Sequence, residues 1–185
     1  MIGLSRSPLL RWPLLRRFAR AERGVAAIEF AFILPVMLAM YIGGLTVGQA
    51  IAVDRKVTLL ARTLGDLTAQ FNVVTDADMS NIFDAAATIM TPYPSAGVQM
   101  VVTSVWTDDA GATKVDWSVS RNAGAMKSGT AVTLPAGLAT RGSSVIMARV
   151  DYTYHAPLVN DVFGELALGE TIYVKPRGTE RILRQ

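Results

Sequence analysis

A chain of 185 residues has room for one modest domain plus a membrane segment, and a hydrophobic content of 51% is high for a wholly soluble one. There is no cysteine, which excludes disulfides and thiolate metal sites and leaves the redox compartment open. The net charge of +3 averages two unlike parts: residues 1–24 hold six arginines against Glu22, for +5, and the rest holds twelve Lys/Arg against fourteen Asp/Glu, for −2. No basic stripe interleaved with aromatics follows the leader, so nucleic acid is not an expected partner.

In chain order, residues 1–24 read as a basic leader, punctuated by Pro8 and Pro13. Its end, from Arg16 to Arg23, has the composition of a helix lying against anionic headgroups. Residues 25–53 read as a transmembrane helix. From Phe30 to Val53 there is no Asp, Glu, Lys or Arg, and a helix of that length exceeds the ~30 Å hydrocarbon core. Arginines just before an apolar run stay cytoplasmic, so residues 54–185 are expected on the other side of that membrane. Glu29 is the one charge inside the run. An acid at that depth costs about 2.5–3.5 kcal/mol on insertion scales, which makes it a functional candidate. Pro35 is tolerated in such a helix. Gly44 and Gly48 form a small-xxx-small pair that reads either as ordinary composition or as a close helix contact.

The helix is expected to continue past the membrane. Val53, Val57, Leu60, Leu64, Leu67 and Phe71 recur at spacings of four and three, with Asp54, Arg55, Arg62 and Asp66 off the stripe. One helix from Val25 to Phe71 fits this pattern; a separate helix after a break near Gln49 is the alternative. Thr75 and Asp78 make a capping box for a second helix, on which Met79, Ile82, Phe83, Ala86 and Met90 share a face. Pro92 and Pro94 end it, giving a helical stretch over 54–91.

From Val98 the period becomes two. Met100, Val102 and Trp106, then Val115, Trp117 and Val119, flank the turn Asp108–Gly111 and read as a β-hairpin. Val132 and Leu134 suggest a short edge strand ending at Pro135. Ile146, Ala148, Val150, Tyr152 and Tyr154 give the strongest strand pattern, and Thr171–Lys175 a last short one. Antiparallel strands over 98–176 after the helices argue for an α+β fold, with helix packed on one face of a meander.

The stretch RGVAAIEFAFILPVMLAMYIGGLTVGQAIAVDRKV resembles the N-terminus of TadE-like proteins, from the tight-adherence (Flp) branch of the type IV pilus system. The resemblance is strong over about residues 16–60 and otherwise one of layout, with AlaArgValAspTyrThrTyr ending at Tyr154 similar to the family's last strands. It implies that a prepilin peptidase cuts after Gly24, that Val25 becomes the N-terminus, and that Glu29, fifth in the mature chain, is followed by an aromatic, here Phe30 where processed members often carry Tyr. It further implies that Glu29 pairs with the Val25 amine of its own or a neighbouring subunit, which lowers the cost of the carboxylate in lipid. The implied partners are inner-membrane lipid, the peptidase, other pilin-like subunits and the Tad secretion machinery, with a periplasmic head. The implied role is that of a minor pilin or pseudopilin, structural and not enzymatic, without cofactor, metal or small-molecule substrate.

Other patterns carry less. Asp116, Ser118 and Ser120 match the D-x-S-x-S start of a metal-binding von Willebrand A domain, but strand alternation also explains them, with Trp117 and Val119 facing inward. His155 is the single histidine and cannot build a multi-histidine site; no Gly-x-Ser-x-Gly elbow accompanies it. No Gly-rich phosphate loop is present. Two other functions remain in view: a secreted enzyme or binding protein cut at Ala50-Ile51-Ala52, although the apolar run is longer than a signal peptide's, and a single-pass sensor that keeps its leader. The mature N-terminus separates them: Val25, Val53 or an uncut start.

Overall fold

The computed structural model describes residues 22–156 and 164–185. The expected leader, up to residue 21, lies outside them. The chain divides into a unit ending at Leu45 and a second unit, Thr46–Gln185. A single helix, α1 (Glu22–Thr68), passes through the boundary without a break at Gln49. It starts before Val25, because Glu22, Arg23 and Gly24 already have helical backbone.

In the first unit α1 is apolar around its circumference, and every side chain from Val25 to Tyr41 is exposed. A helix hydrophobic on all sides, with these side chains exposed among the described residues, suits a lipid environment. By length and composition α1 can cross a membrane. Pro35 lies inside it.

The second unit adds β1 (Val73–Val74), α2 (Asp76–Ala87), a 3₁₀ turn (Thr88–Met90), β2 (Gln99–Thr107), β3 (Thr113–Arg121), β4 (Ser143–His155), β5 (Glu165–Val174) and β6 (Leu183–Arg184). Among the described residues β2–β5 make a four-stranded antiparallel sheet in the order β3-β2-β4-β5, and β1 pairs with β6 in parallel. The fold is α+β. The capping box is as read: Thr75 Oγ1 accepts from the Asp78 amide, and the Asp78 carboxylate accepts from the Thr75 amide at 3.0 Å.

The apolar stripe of α1 packs on the sheet. Val53, Val57, Leu60 and Leu64 share one core with Met79, Ile82 and Phe83 of α2 and with Met100, Val102, Trp117, Ile146, Ala148 and Val150 of the strands. Burying each of the larger apolar side chains contributes about 1.5–3 kcal/mol. Leu67 and Phe71, at the end of the stripe, are half-buried against it. At Gly65 the helix approaches so closely that an added Cβ would stand 3.0 Å from Val174 Cγ2 and 3.5 Å from Ala148 Cβ. At the other end the Tyr154 hydroxyl donates to Gln49 Oε1 at 3.2 Å. Thus α1 runs opposite to β4.

Three expectations change. The strands are not a meander: β4 pairs with β2 on the side away from β3, so the segment after β3 crosses over β2. The expected strand at Val132 and Leu134 reduces to one bridge, Lys114 to Ala131, and a Val132 amide bond to the Thr113 carbonyl. Gly129 and Gly137 in the left-handed region, with Pro135 between them, keep that segment irregular. The last sheet strand begins at Glu165, not Thr171, because β5 pairs along β4 as far as His155. Trp106 is also only half-buried. A register shift between Ser104 and Val105 in the β2–β3 pairing interrupts the alternation there.

Candidate functional site

The four residues singled out by the sequence lie together at the start of α1. Gly24 and Val25 are in its first turn, and Glu29 stands four residues on from Val25. Residues at that spacing share a helix face. Side chains on a helix lean toward its N-terminus, and Glu29 is on the face of Val25, one turn further on. Phe30 lies one residue further round. Val25 and Phe30 are exposed, as is Glu29. Among the described residues Glu29 has neither an ion-pair nor a hydrogen-bond partner. While Gly24 is attached, the Val25 nitrogen is a neutral amide. A cut after Gly24 would turn it into a cationic amine within reach of a carboxylate one helical turn away.

The patterns of the head have structural uses. The Asp116 carboxylate accepts two bonds from the Arg181 guanidinium, at 2.6 and 2.9 Å. That bond holds the guanidinium pKa above its ordinary value. Ser118 Oγ lies 2.8 Å from Thr103 Oγ1 and accepts from the Met126 amide, and Ser120 Oγ donates to the Ala123 carbonyl. All three residues of D-x-S-x-S are therefore engaged in holding the segment after β3 and the C-terminal strap. His155 Nδ1 is 3.4 Å from Glu165 Oε1, with both side chains more than half exposed. Among the described residues no group of three or more His, Asp and Glu is placed to hold a metal ion. Two shallow grooves on the sheet face away from the helices share Gln99, Arg149 and Asp151, whose ion pair occupies their common wall.

One constellation was missed from sequence. Residues 175–185 form a strap across the end of the head beyond Thr68. Arg177 pairs with Asp66, Arg181 with Asp116 and Arg184 with Asp76. Arg181 also lies over the Trp106 ring and Arg184 over Trp117, at 5.0 and 5.9 Å. Between them Ile182 is fully buried and its carbonyl accepts from Trp117 Nε1 at 2.8 Å. The spacing of the three arginines was visible, but their partners are 65 to 111 residues away.

The Asp116, Ser118 and Ser120 side chains of the head are thus engaged within its own architecture. No curated protein and no solved structure matches the chain. The model of one family, described as TadE-like protein, matches residues 24–64. The match opens at Gly24, takes in Val25, Glu29 and Phe30, and runs along α1 to the Leu64 that packs on the sheet. From Gly24 to Leu64 the chain is similar to TadE-like proteins.

Proposed function

We propose that the chain acts structurally, as a minor pilin or pseudopilin, in assembling a Flp-type pilus or a related secretion filament. Its TadE-like helix connects it with the Tad pilus machinery and with a membrane. The observation that carries the finer reading is the start of the family match at Gly24, with an exposed acid five residues beyond. A prepilin peptidase cuts after Gly24, removing all six leader arginines and exposing the Val25 amine. Glu29 then pairs with that amine, in its own chain or in an incoming neighbour. Pairing relieves much of the cost of the carboxylate in lipid, so the mature chain is stabilised where subunits meet. The arginine-rich leader places the N-terminus in the cytoplasm and the head in the periplasm, with α1 in the inner membrane. The partners are the peptidase and other pilin-like subunits.

Co-expression with a prepilin peptidase, followed by intact mass and N-terminal sequencing, tests the first step. The expected start is Val25, with Gly24→Leu retaining the full leader. An uncut wild-type chain, or one beginning at Val53, overturns the reading. Glu29→Ala is expected to insert normally but to lose co-purification with pilin-like subunits. Unchanged co-purification and normal piliation would sink the pairing.

A further inference from the structure

We propose that the outer edge of β5, from Ala167 to Val174, is a strand-addition site for an extended segment of another protein, which runs antiparallel to β5 and sets a lysine or arginine opposite Glu170. The site lies wholly within the second unit and does not depend on a cut after Gly24.

The two edges of the sheet are finished differently. The β3 edge is closed by the chain itself. The Val115 amide donates to the Thr130 carbonyl, the Gly129 amide to the Val115 carbonyl and the Val132 amide to the Thr113 carbonyl. Ser128 Oγ extends the cover by donating to the Asp116 carbonyl at 2.8 Å. The β5 edge has no counterpart. β5 is last in the order β3-β2-β4-β5, and among the described residues its backbone bonds only to β4. Along an antiparallel strand every second residue turns its N–H and C=O away from its neighbour, so β5 presents a row of unpaired donors and acceptors. Edge strands of folded proteins are blunted by a bulge, a proline, a lysine or short length. β5 has ten residues, pairs with β4 without a register shift, and contains neither proline nor lysine. Such an edge binds an extended segment through its backbone, with side chains setting the specificity.

The side chains of β5 choose the occupant. Leu168, Glu170 and Ile172 alternate on the face that carries α1, where Leu168 and Ile172 pack against the core. Glu170 stands between them, and among the described residues it has no ion pair. The residue directly opposite it on an added strand has its Cβ about 4.5–5.5 Å away, where an opposite charge stabilises and a like charge does the reverse. β5 holds no lysine or arginine, so a second copy of the same edge gives Glu170 no cation. On the other face Gly169 bears no side chain, and the Asp151 carboxylate stands 2.8 Å from where a Cβ would be. A hydroxyl-tipped side chain laid across Gly169 therefore finds an acceptor. The occupant is thus a β-forming segment, apolar opposite Leu168 and Ile172 and basic opposite Glu170.

The probe is acetyl-Val-Thr-Val-Thr-Lys-Tyr-Val-Thr-amide, written to lie antiparallel to β5 from Val174 to Ala167 and carrying a fluorophore at one end. It is titrated by anisotropy against the full-length chain in nonionic detergent micelles, with empty micelles as the blank. Its footprint is read from backbone amide exchange by NMR. The expected result is saturable binding that slows exchange within residues 167–174 of β5 and leaves 113–121 of β3 unchanged. N-methylating one alternate set of the peptide's amides should abolish binding and methylating the other set should not, because only one set faces β5. Replacing the peptide's lysine by glutamate should weaken binding severalfold, and Glu170→Lys in the protein should reverse that preference. An absence of saturable binding at millimolar peptide, or the same response to both methylated sets, overturns strand addition. Slowed exchange at β3 in place of β5 overturns the choice of edge. A preference that Glu170→Lys does not reverse overturns the cation assignment. Slowed exchange at 167–174 on raising the protein concentration alone makes a second copy the occupant and overturns the choice of another protein.

Discussion

Gly65 costs the helix about 1 kcal/mol relative to alanine, and its place against Val174 and Ala148 explains why a glycine stands there. A side chain at 65 would have to push α1 away from the sheet. Gly65→Leu is therefore expected to destabilise the head by about 1–3 kcal/mol, measured by urea unfolding in detergent with tryptophan fluorescence as the signal. Gly44→Ala, where nothing stands within 4 Å of the added carbon, should change it little. Asp78 gives a second test at this scale. The hydrogen bond from the Thr75 hydroxyl, and then that from the Thr75 amide, hold its carboxyl below the usual carboxylate range. A depressed folded pKa stabilises above the unfolded value, near 3.9 for aspartate, and that contribution disappears as pH falls through the folded value. Thr75→Ala should be less stable than the wild type at neutral pH, and the gap should narrow in acid, as pH falls from about 3.9 through the lowered folded value, leaving the part due to the Asp78 amide bond to Thr75 Oγ1. A gap independent of pH would remove Asp78 from the account. Both members of this box were legible in the sequence because a capping box is local. Gly65 was not, since its reason lies on strands about a hundred residues downstream.

At the scale of elements, legibility divides the same way. The stripe on α1, the face of α2, the β2–β3 hairpin and β4 all announced themselves through their periods. β5 did so only in its last half. Glu170 breaks the alternation that Leu166, Leu168 and Ile172 would have shown, and its pairing with β4 defines the whole strand. β1 and β6 are two residues each and exist because the strap meets the chain after α1. That strap separates packing from charge. Ile182→Ala should cost about 2–5 kcal/mol, because it leaves a cavity beneath Trp117. Arg177→Ala should cost about 1 kcal/mol or less, since its pair with Asp66 is exposed. The same unfolding assay checks both, and comparable losses would show that the ion pairs, not the buried side chain, fasten the strap.

For the whole molecule, the proposed orientation rests on the charge asymmetry. Ser5→Cys and Asp109→Cys, each in the cysteine-free chain with Gly24→Leu to retain the leader, are expected to label oppositely with an impermeant maleimide in spheroplasts. Position 109 should react and position 5 should not. The reverse result would place the head in the cytoplasm and remove the case for filament assembly. The long apolar helix ahead of the mixed α+β part was readable from composition and periodicity. The crossover after β3 was not, because the choice between meander and crossover depends on which edge of β2 receives β4.

The opposed directions of α1 and β4 have a mechanical consequence. A force applied to the second unit along its own stretch of α1, from Thr46 on, acts parallel to β4 beneath it. The contacts of Val53, Val57, Leu60 and Leu64 are then loaded together in shear, not peeled one by one. With Gln49 bonded to Tyr154 at the first point of contact, there is no slack to take up. The second unit should move with its own stretch of α1 as one load and keep its core under tension.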